Sequence, residues 1–147
     1  MKDKMLVGWR EVVSLPSLGI STIKAKVDTG ARTSCLHTFK LEPFEQDDQL
    51  WVRFWIHPLQ NNEEQVTVCE APVIDQRVVR DSGGHEETRF VIRSDVMIGE
   101  LSWPIEITLT NRENMLFRML LGRTAMHKKI IVDPSRSFLT RKEEPKK

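Results

Sequence analysis

Cysteine is scarce in this chain. Cys35 and Cys69 are the only two in 147 residues, too few for a disulfide framework, and both are expected to be reduced, half-buried strand residues. Nowhere do about 18 apolar residues run together, so no membrane-spanning helix is expected. The stretch from Met1 to Arg10 lacks the apolar core of a signal peptide, and a soluble, cytoplasmic protein is the resulting expectation. Neither sign of charge dominates: 22 Lys and Arg face 21 Asp and Glu, a formal net charge of +1. Without a global field, neither nucleic acid nor a membrane surface is an expected partner. Three functional signatures are also missing. No phosphate-binding Gly-x-x-x-x-Gly-Lys-Ser/Thr loop occurs, nor a His-Glu-x-x-His helix, nor paired Cys-x-x-Cys hooks. No cofactor and no metal are therefore expected. His37, His57, His85 and His127 supply ligand types without ligand spacing, although Cys35 and His37 would share one face of a strand. No Ser or Cys nucleophile with a convincing base stands out.

What the chain does have is period-two alternation. With 39% hydrophobic and 29% charged residues, it suits one domain, placed at residues 1–139, with a frayed tail over 140–147. Short runs rich in Val, Ile, Thr, Phe and Trp, separated by turn residues, predict an all-β domain. Strands are expected near Val7–Val13, Ile20–Val27, Ser34–Phe39, Leu50–Ile56, Gln65–Glu70, Val73–Arg80, Arg89–Val96, Leu101–Thr110 and Phe117–Leu121. Short pieces follow at Ile130–Val132 and Phe138–Leu139. Ile105, Ile107 and Leu109 should point inward, with Glu106, Thr108 and Thr110 toward water. Glu42–Gln49 reads as an acidic connector and Asn61–Glu64 as a hairpin tip. The one helix expected begins at Arg123 and runs to about Lys129.

Two separated segments carry the chemistry. Ile23 to Ala31 is an alternating run ending in Asp28-Thr29-Gly30, followed by a small residue, Ala31. Far downstream, Leu120-Leu121-Gly122-Arg123 gives two aliphatics and a glycine leading into the helix. An Asp-Thr-Gly loop suits water-mediated amide hydrolysis. One carboxylate can act as general base on water while its partner holds the proton, since two carboxyls about 3 Å apart cannot both ionise. Asp28 would be half of such a pair. Thr29 offers a hydroxyl on a stiff stem to lock two loops together, and Gly30 lets its own N–H reach the carboxylate. Leu120 and Leu121 would form an apolar floor, and Gly122 would allow a tight crossing. Taken alone, the triplet also fits a simple strand-to-turn junction.

The chain supplies one such aspartate. Asp81-Ser82-Gly83 follows too soon to begin a second half, and Arg80 stands where an apolar strand residue should be. It reads instead as the glycine-rich tip of a long hairpin, Val73–Arg80 with Arg89–Val96, placed where a flap over substrate is expected. Ser82, Gly83, Gly84 and His85 are thus candidate substrate contacts, though an ordinary exposed hairpin fits the same residues. The second carboxyl would then come from a second copy in a symmetric homodimer.

Taken together, Val7–Glu11, Ile23–Ser34 (IKAKVDTGARTS), Ser82–His85, Trp103–Thr110 (WPIEITLT), Asn111-Arg112, Phe117–Arg123 (FRMLLGR), Val132–Pro134 and Ser137–Leu139 cover nearly the whole chain. In these motifs the chain resembles the retropepsin-like family of bacterial proteins known as ATP-dependent zinc proteases. The resemblance implies an acid-protease barrel with one short helix after Gly122, a peptidase activity, and association with enzymes that add glutamate to carboxyl groups. Neither ATP nor zinc follows from these residues.

One departure from the viral retropepsins bears on specificity. Where those have an acid after Asp-Thr-Gly-Ala, paired with the downstream arginine, this chain has Arg32, which cannot pair with Arg123. Arg123 is expected to engage a structural carboxylate, with Asp133 and Glu11 as candidates, or to contact substrate. Arg32 is expected to contact substrate together with Ala31, favouring an acidic or glutamylated peptide or protein. The expected function is an aspartic-type peptidase with Asp28, Thr29 and Gly30 at its centre. A non-catalytic binding or assembly module on the same fold, and a zinc-dependent hydrolase, are the alternatives.

Overall fold

The computed structural model describes residues 4–59, 64–80, 83–111 and 117–140. Among them run β1 (Met5–Val7), β2 (Arg10–Leu15), a 3-10 turn at Pro16–Leu18, β3 (Ile20–Val27), β4 (Ser34–His37), β5 (Lys40–Gln46) and β6 (Gln49–Ile56). Then come β7 (Thr67–Pro72), β8 (Asp75–Arg80), β9 (Glu86–Ile98), β10 (Leu101–Thr110), β11 (Met119–Leu121), α1 (Arg123–Met126) and β12 (Ile130–Val132). Among the described residues the protein is all-β, as its alternation predicts, with one short helix. The predicted hairpin tip at Asn61–Glu64 and the tail beyond Thr140 fall largely outside the described residues.

The strands form three sheets. Seven run in the order β10-β4-β11-β3-β2-β9-β8, and the long β9 also pairs antiparallel with β10 from Leu101↔Ile98 to Thr108↔Val91. This bends six strands into a circuit, but the β2–β9 seam rests on one pair, Ser14↔Met97. The predicted acid-protease barrel is thus not clearly closed at this seam. A separate layer, β5-β6-β7, and a parallel pair, β1-β12, accompany it. Val52, Phe54 and Ile56 of β6, all at 0% exposure, join Ile23, Leu36, Ile92 and Ile107 in one core.

Local chemistry explains where the sequence reading erred. β5 was expected as a connector because it is acidic and contains Pro43. It is an edge strand bonded only to β6, where a missing N–H costs nothing and charge blunts the edge. Its hairpin turns at Asp47 (φ 54°) and Asp48 (φ 60°), and two left-handed residues between Gln46 and Gln49 match the twist of a tight hairpin. In β10, Ile105, Ile107 and Leu109 are buried as expected, yet Thr108 and Thr110 are buried too. The Thr108 hydroxyl donates to Ser34 O at 3.1 Å and the Thr110 hydroxyl to Glu87 Oε1 at 3.0 Å, so the expected wet face is covered and satisfied.

The predicted strand Val7–Val13 breaks at Gly8 because the chain end crosses there. Trp9 N donates to Arg136 O (2.8 Å), Asp133 N to Val7 O (2.8 Å) and Phe138 N to Arg10 O (3.0 Å). A Cβ on Gly8 would lie 2.1 Å from Arg136 O, so only glycine fits under this strap. Phe138 is no strand residue; it adopts φ 54° and sets its ring 4.9 Å from the Arg10 guanidinium. Glu11 fastens the strap. Fully buried, its carboxylate accepts Gly8 N (2.7 Å), Leu139 N (2.8 Å), Thr140 N (3.1 Å) and the Thr140 hydroxyl (2.8 Å). Four donors stabilise a charge that burial alone would penalise. Glu11→Ala should therefore lower the unfolding free energy by about 3 kcal/mol, read from urea denaturation; a change under about 0.5 kcal/mol would remove this role.

Candidate active site

The Asp28 loop is shaped by a strand driven between its two legs. β11 lies parallel to β3 (Met119↔Ala25, Leu120↔Lys26, Leu121↔Val27) and antiparallel to β4 (Met119↔Leu36, Leu120↔Cys35). The loop from Asp28 to Thr33 must therefore arch over the end of β11. Asp28 N donates to Leu121 O at 2.9 Å, Arg123 N to Ala31 O at 2.8 Å and Thr124 N to Arg32 O at 3.0 Å. The buried Ser34 hydroxyl accepts Gly122 N at 3.0 Å. Gly122 sits so close that an added Cβ would lie 2.6 Å from Thr33 C and 2.9 Å from Ser34 N. The tight crossing expected of Gly122 is thus a backbone-on-backbone contact.

On this scaffold the Asp28 carboxylate is half-exposed, and its Oδ1 accepts Gly30 N at 2.9 Å, the contact expected of that glycine. Thr29, Gly30 and Arg32 are exposed and Ala31 half-buried, so the loop presents its face outward. Trp103 anchors the far side of α1, its indole N–H donating to Ala125 O at 2.9 Å. α1 itself covers four residues, Arg123–Met126, shorter than the predicted run to Lys129, because Lys128 turns left-handed at φ 64°.

Arg123 corrects an expectation. Its guanidinium engages neither Asp133 nor Glu11; Nη1 donates to Thr29 O and Gly30 O, both at 3.1 Å. Asp133 instead caps Ser135, taking its N–H at 3.0 Å and its hydroxyl at 2.7 Å, which lowers its pKa. Arg123 is a clamp on the loop backbone, and the position after Ala31 needs no acid to hold it. Arg32 has no ion-pair partner among the described residues.

The expected hairpin is present. β8 and β9 pair from Asp75↔Val91 to Arg80↔Glu86, and Arg80 meets Glu86 at 2.5 Å near the tip. Gly83, Gly84 and His85 are exposed there, with Gly84 at φ 85°; Ser82 lies outside the described residues. Ser34 and Trp103 are the positioning residues that motif reading missed. The hydroxyl opening β4 directly after the loop was the available signal for Ser34.

Zinc fits these residues poorly. Cys35 and His37 share β4, but Cys35 is only 5% exposed, and burial pushes its thiol above its ordinary pKa. Cys69 is likewise free and buried, its thiol pushed up to about 12 by desolvation. Both are buried rather than half-buried as expected. No group of three or more His, Cys, Asp or Glu is placed to hold a metal among the described residues, and none of their helices is long and apolar enough to cross a membrane.

Residues 6–143 match the model of the RimB-like family, described as retropepsin-like aspartic endopeptidase RimB. A "Probable alpha-L-glutamate ligase" of Parasynechococcus marenigrum is 53% identical over 93% of this chain, which spans 29% of that protein. A protein of the same name from Shewanella pealeana is 46% identical over 92% of this chain and 30% of its own length. The chain thus spans less than a third of these relatives. A Legionella pneumophila structure, described as having unknown function, superposes with a TM-score of 0.78 at 25% identity, covering 95% of this chain and all of that one.

The crossing at Gly122 makes a direct prediction. Gly122→Ala must displace the Thr33 backbone, and it should cost about 2–4 kcal/mol in denaturant unfolding; a variant as stable as the parent would show that the loop is not held by this contact.

Proposed function

The chain belongs to the RimB-like family of retropepsin-like aspartic endopeptidases, and on that footing we propose that it is an aspartic peptidase acting as a homodimer. Its substrate is an amide bond in an acidic or glutamylated peptide or protein. The observation that carries this reading is the half-exposed Asp28 carboxylate, fixed by Gly30 N and by a loop clamped to Leu121–Thr124. The chain has a single Asp-Thr-Gly triplet, so the partner carboxyl comes from a second copy across a two-fold axis.

In that pair, one Asp28 is ionised and the other protonated. The ionised carboxylate takes a proton from water as the oxygen attacks the scissile carbonyl, and the protonated one gives its hydrogen to the carbonyl oxygen. The resulting gem-diol collapses when the protonated carboxyl gives its proton to the amide nitrogen and the ionised one takes a proton from a gem-diol hydroxyl, breaking the C–N bond and releasing acid and amine. Thr29 links the two loops, and Gly83, Gly84 and His85 form the cover that excludes water. Arg32, exposed beside the loop, contacts acidic side chains of the substrate.

The glutamate in the relatives' names supports the substrate class. A ligase joins glutamate through an amide bond, and a peptidase of this type opens one. A second reading is a non-catalytic assembly module, favoured by the chain matching under a third of proteins named as ligases. The burial of Cys35 weighs against a zinc hydrolase. A cytoplasmic location accords with this activity.

Asp28→Asn should cut cleavage of glutamate-rich peptides below about 1% of the parent rate, as loss of a catalytic acid–base group does, with an unchanged circular dichroism spectrum. A parental rate in that variant removes the mechanism, and a parent without hydrolysis at any pH selects the module.

A further inference from the structure

A groove of about 490 Å³ opens on the flank of the Asp28 loop, lined on one side by Thr29 and Arg123 and on the other by the start of β1 and by β12. This volume is in the range of sites that take small ligands or a few residues of peptide. Its lining is charged in one sense only. Lys4, Arg123 and Lys128 contribute cations, His127 adds an imidazole, and no Asp or Glu lines it among the described residues. Its floor is apolar, built from Met126, Ile130 and Val132.

The cations are not already used. Arg123 is bound to the carbonyls of Thr29 and Gly30, but Lys4 and Lys128 are exposed and make no ion pair among the described residues. Lys128 stands at a left-handed position, φ 64°, which L side chains seldom adopt, and the turn is closed by Lys129 N donating to Met126 O at 2.9 Å. This fixed bend carries Lys128 to the groove. An apolar floor beneath ammonium groups matches a side chain made of methylenes ending in a carboxylate. Glutamate has that form, and a run of glutamates would place several carboxylates along the wall.

We propose that this groove is a specificity subsite in which Lys4 and Lys128 bind carboxylates of a glutamate-rich peptide whose scissile bond lies at Asp28. The proposal rests on the peptidase reading above and extends it to residues outside the loop. Thr29 belongs to both the loop and the groove, so the groove adjoins the loop that carries Asp28.

The test separates binding from cleavage by using the full chain with Asp28→Asn, which holds peptide without cutting it. Fluorescein-labelled hexaglutamate and hexaglutamine are titrated by anisotropy at low salt. The Asp28→Asn protein should bind hexaglutamate at least tenfold more tightly than hexaglutamine. Adding Lys4→Ala and Lys128→Ala should weaken hexaglutamate binding by about five- to tenfold, as expected for two exposed ion contacts, without changing the melting curve. Lys4→Arg with Lys128→Arg should restore it. Free glutamate at equal carboxylate concentration should not displace the peptide. Parental affinity in the double alanine variant, equal binding of hexaglutamine, or equal competition by free glutamate overturns the subsite. Because these readouts do not involve turnover, they stand apart from the peptidase reading, which fails separately if Asp28→Asn still cleaves.

Discussion

The contact of Gly122 with the backbone of Thr33 and Ser34 is the constraint on which the site depends. A strand can enter between the two legs of a loop only if its end can pass beneath the arch, and here the clearance admits no Cβ. Once Leu121 and Gly122 are in place, their carbonyl and amide meet Asp28 N and the Ser34 hydroxyl, while the following turn binds Ala31 and Arg32. Arg123 then closes over the outside by gripping the Thr29 and Gly30 carbonyls. The Asp28 carboxylate is thus positioned by backbone geometry, with one amide of its own loop aimed at it.

The same economy governs the strap beside it, where Trp9 O accepts Val27 N at 2.8 Å. Gly8 lets the chain end cross the start of β2, and the buried Glu11 gathers amides from both segments. That strap follows β12, which pairs with β1 and forms one wall of the cationic groove. The groove, the clamp and the Asp28 loop are consequently built from three separate stretches of sequence: Lys4 ahead of β1, the loop after β3, and the segment from β11 to β12.

Much of this was legible in the sequence because it rested on local signals. Alternation marked β3, β6, β9 and β10, and glycines at positions 30 and 122 marked backbone approach. Both were visible as a triplet and a Leu-Leu-Gly run. What escaped reading depended on tertiary partners. β5 looked like a connector because an edge strand tolerates the proline and the acids that disfavour an interior one. Thr108 and Thr110 looked wet because their acceptors, Ser34 O and Glu87, lie far away in sequence. Arg123 was assigned a carboxylate partner on the pattern of viral relatives, whereas two carbonyls of the loop serve it. The lysines of the groove carried no motif; only the left-handed turn at Lys128 and the fold of β1 against β12 bring them together.

The central claim is that two copies of Asp28 form one reaction centre, and mixing subunits tests it most directly. Parent and Asp28→Asn chains are combined in known ratios, allowed to exchange, and assayed on a glutamate-rich peptide. If each centre needs both carboxyls, activity falls as the square of the parent fraction, because only parent–parent pairs turn over. A linear fall would mean that each chain works with its own carboxylate alone, and the shared-proton account would be wrong.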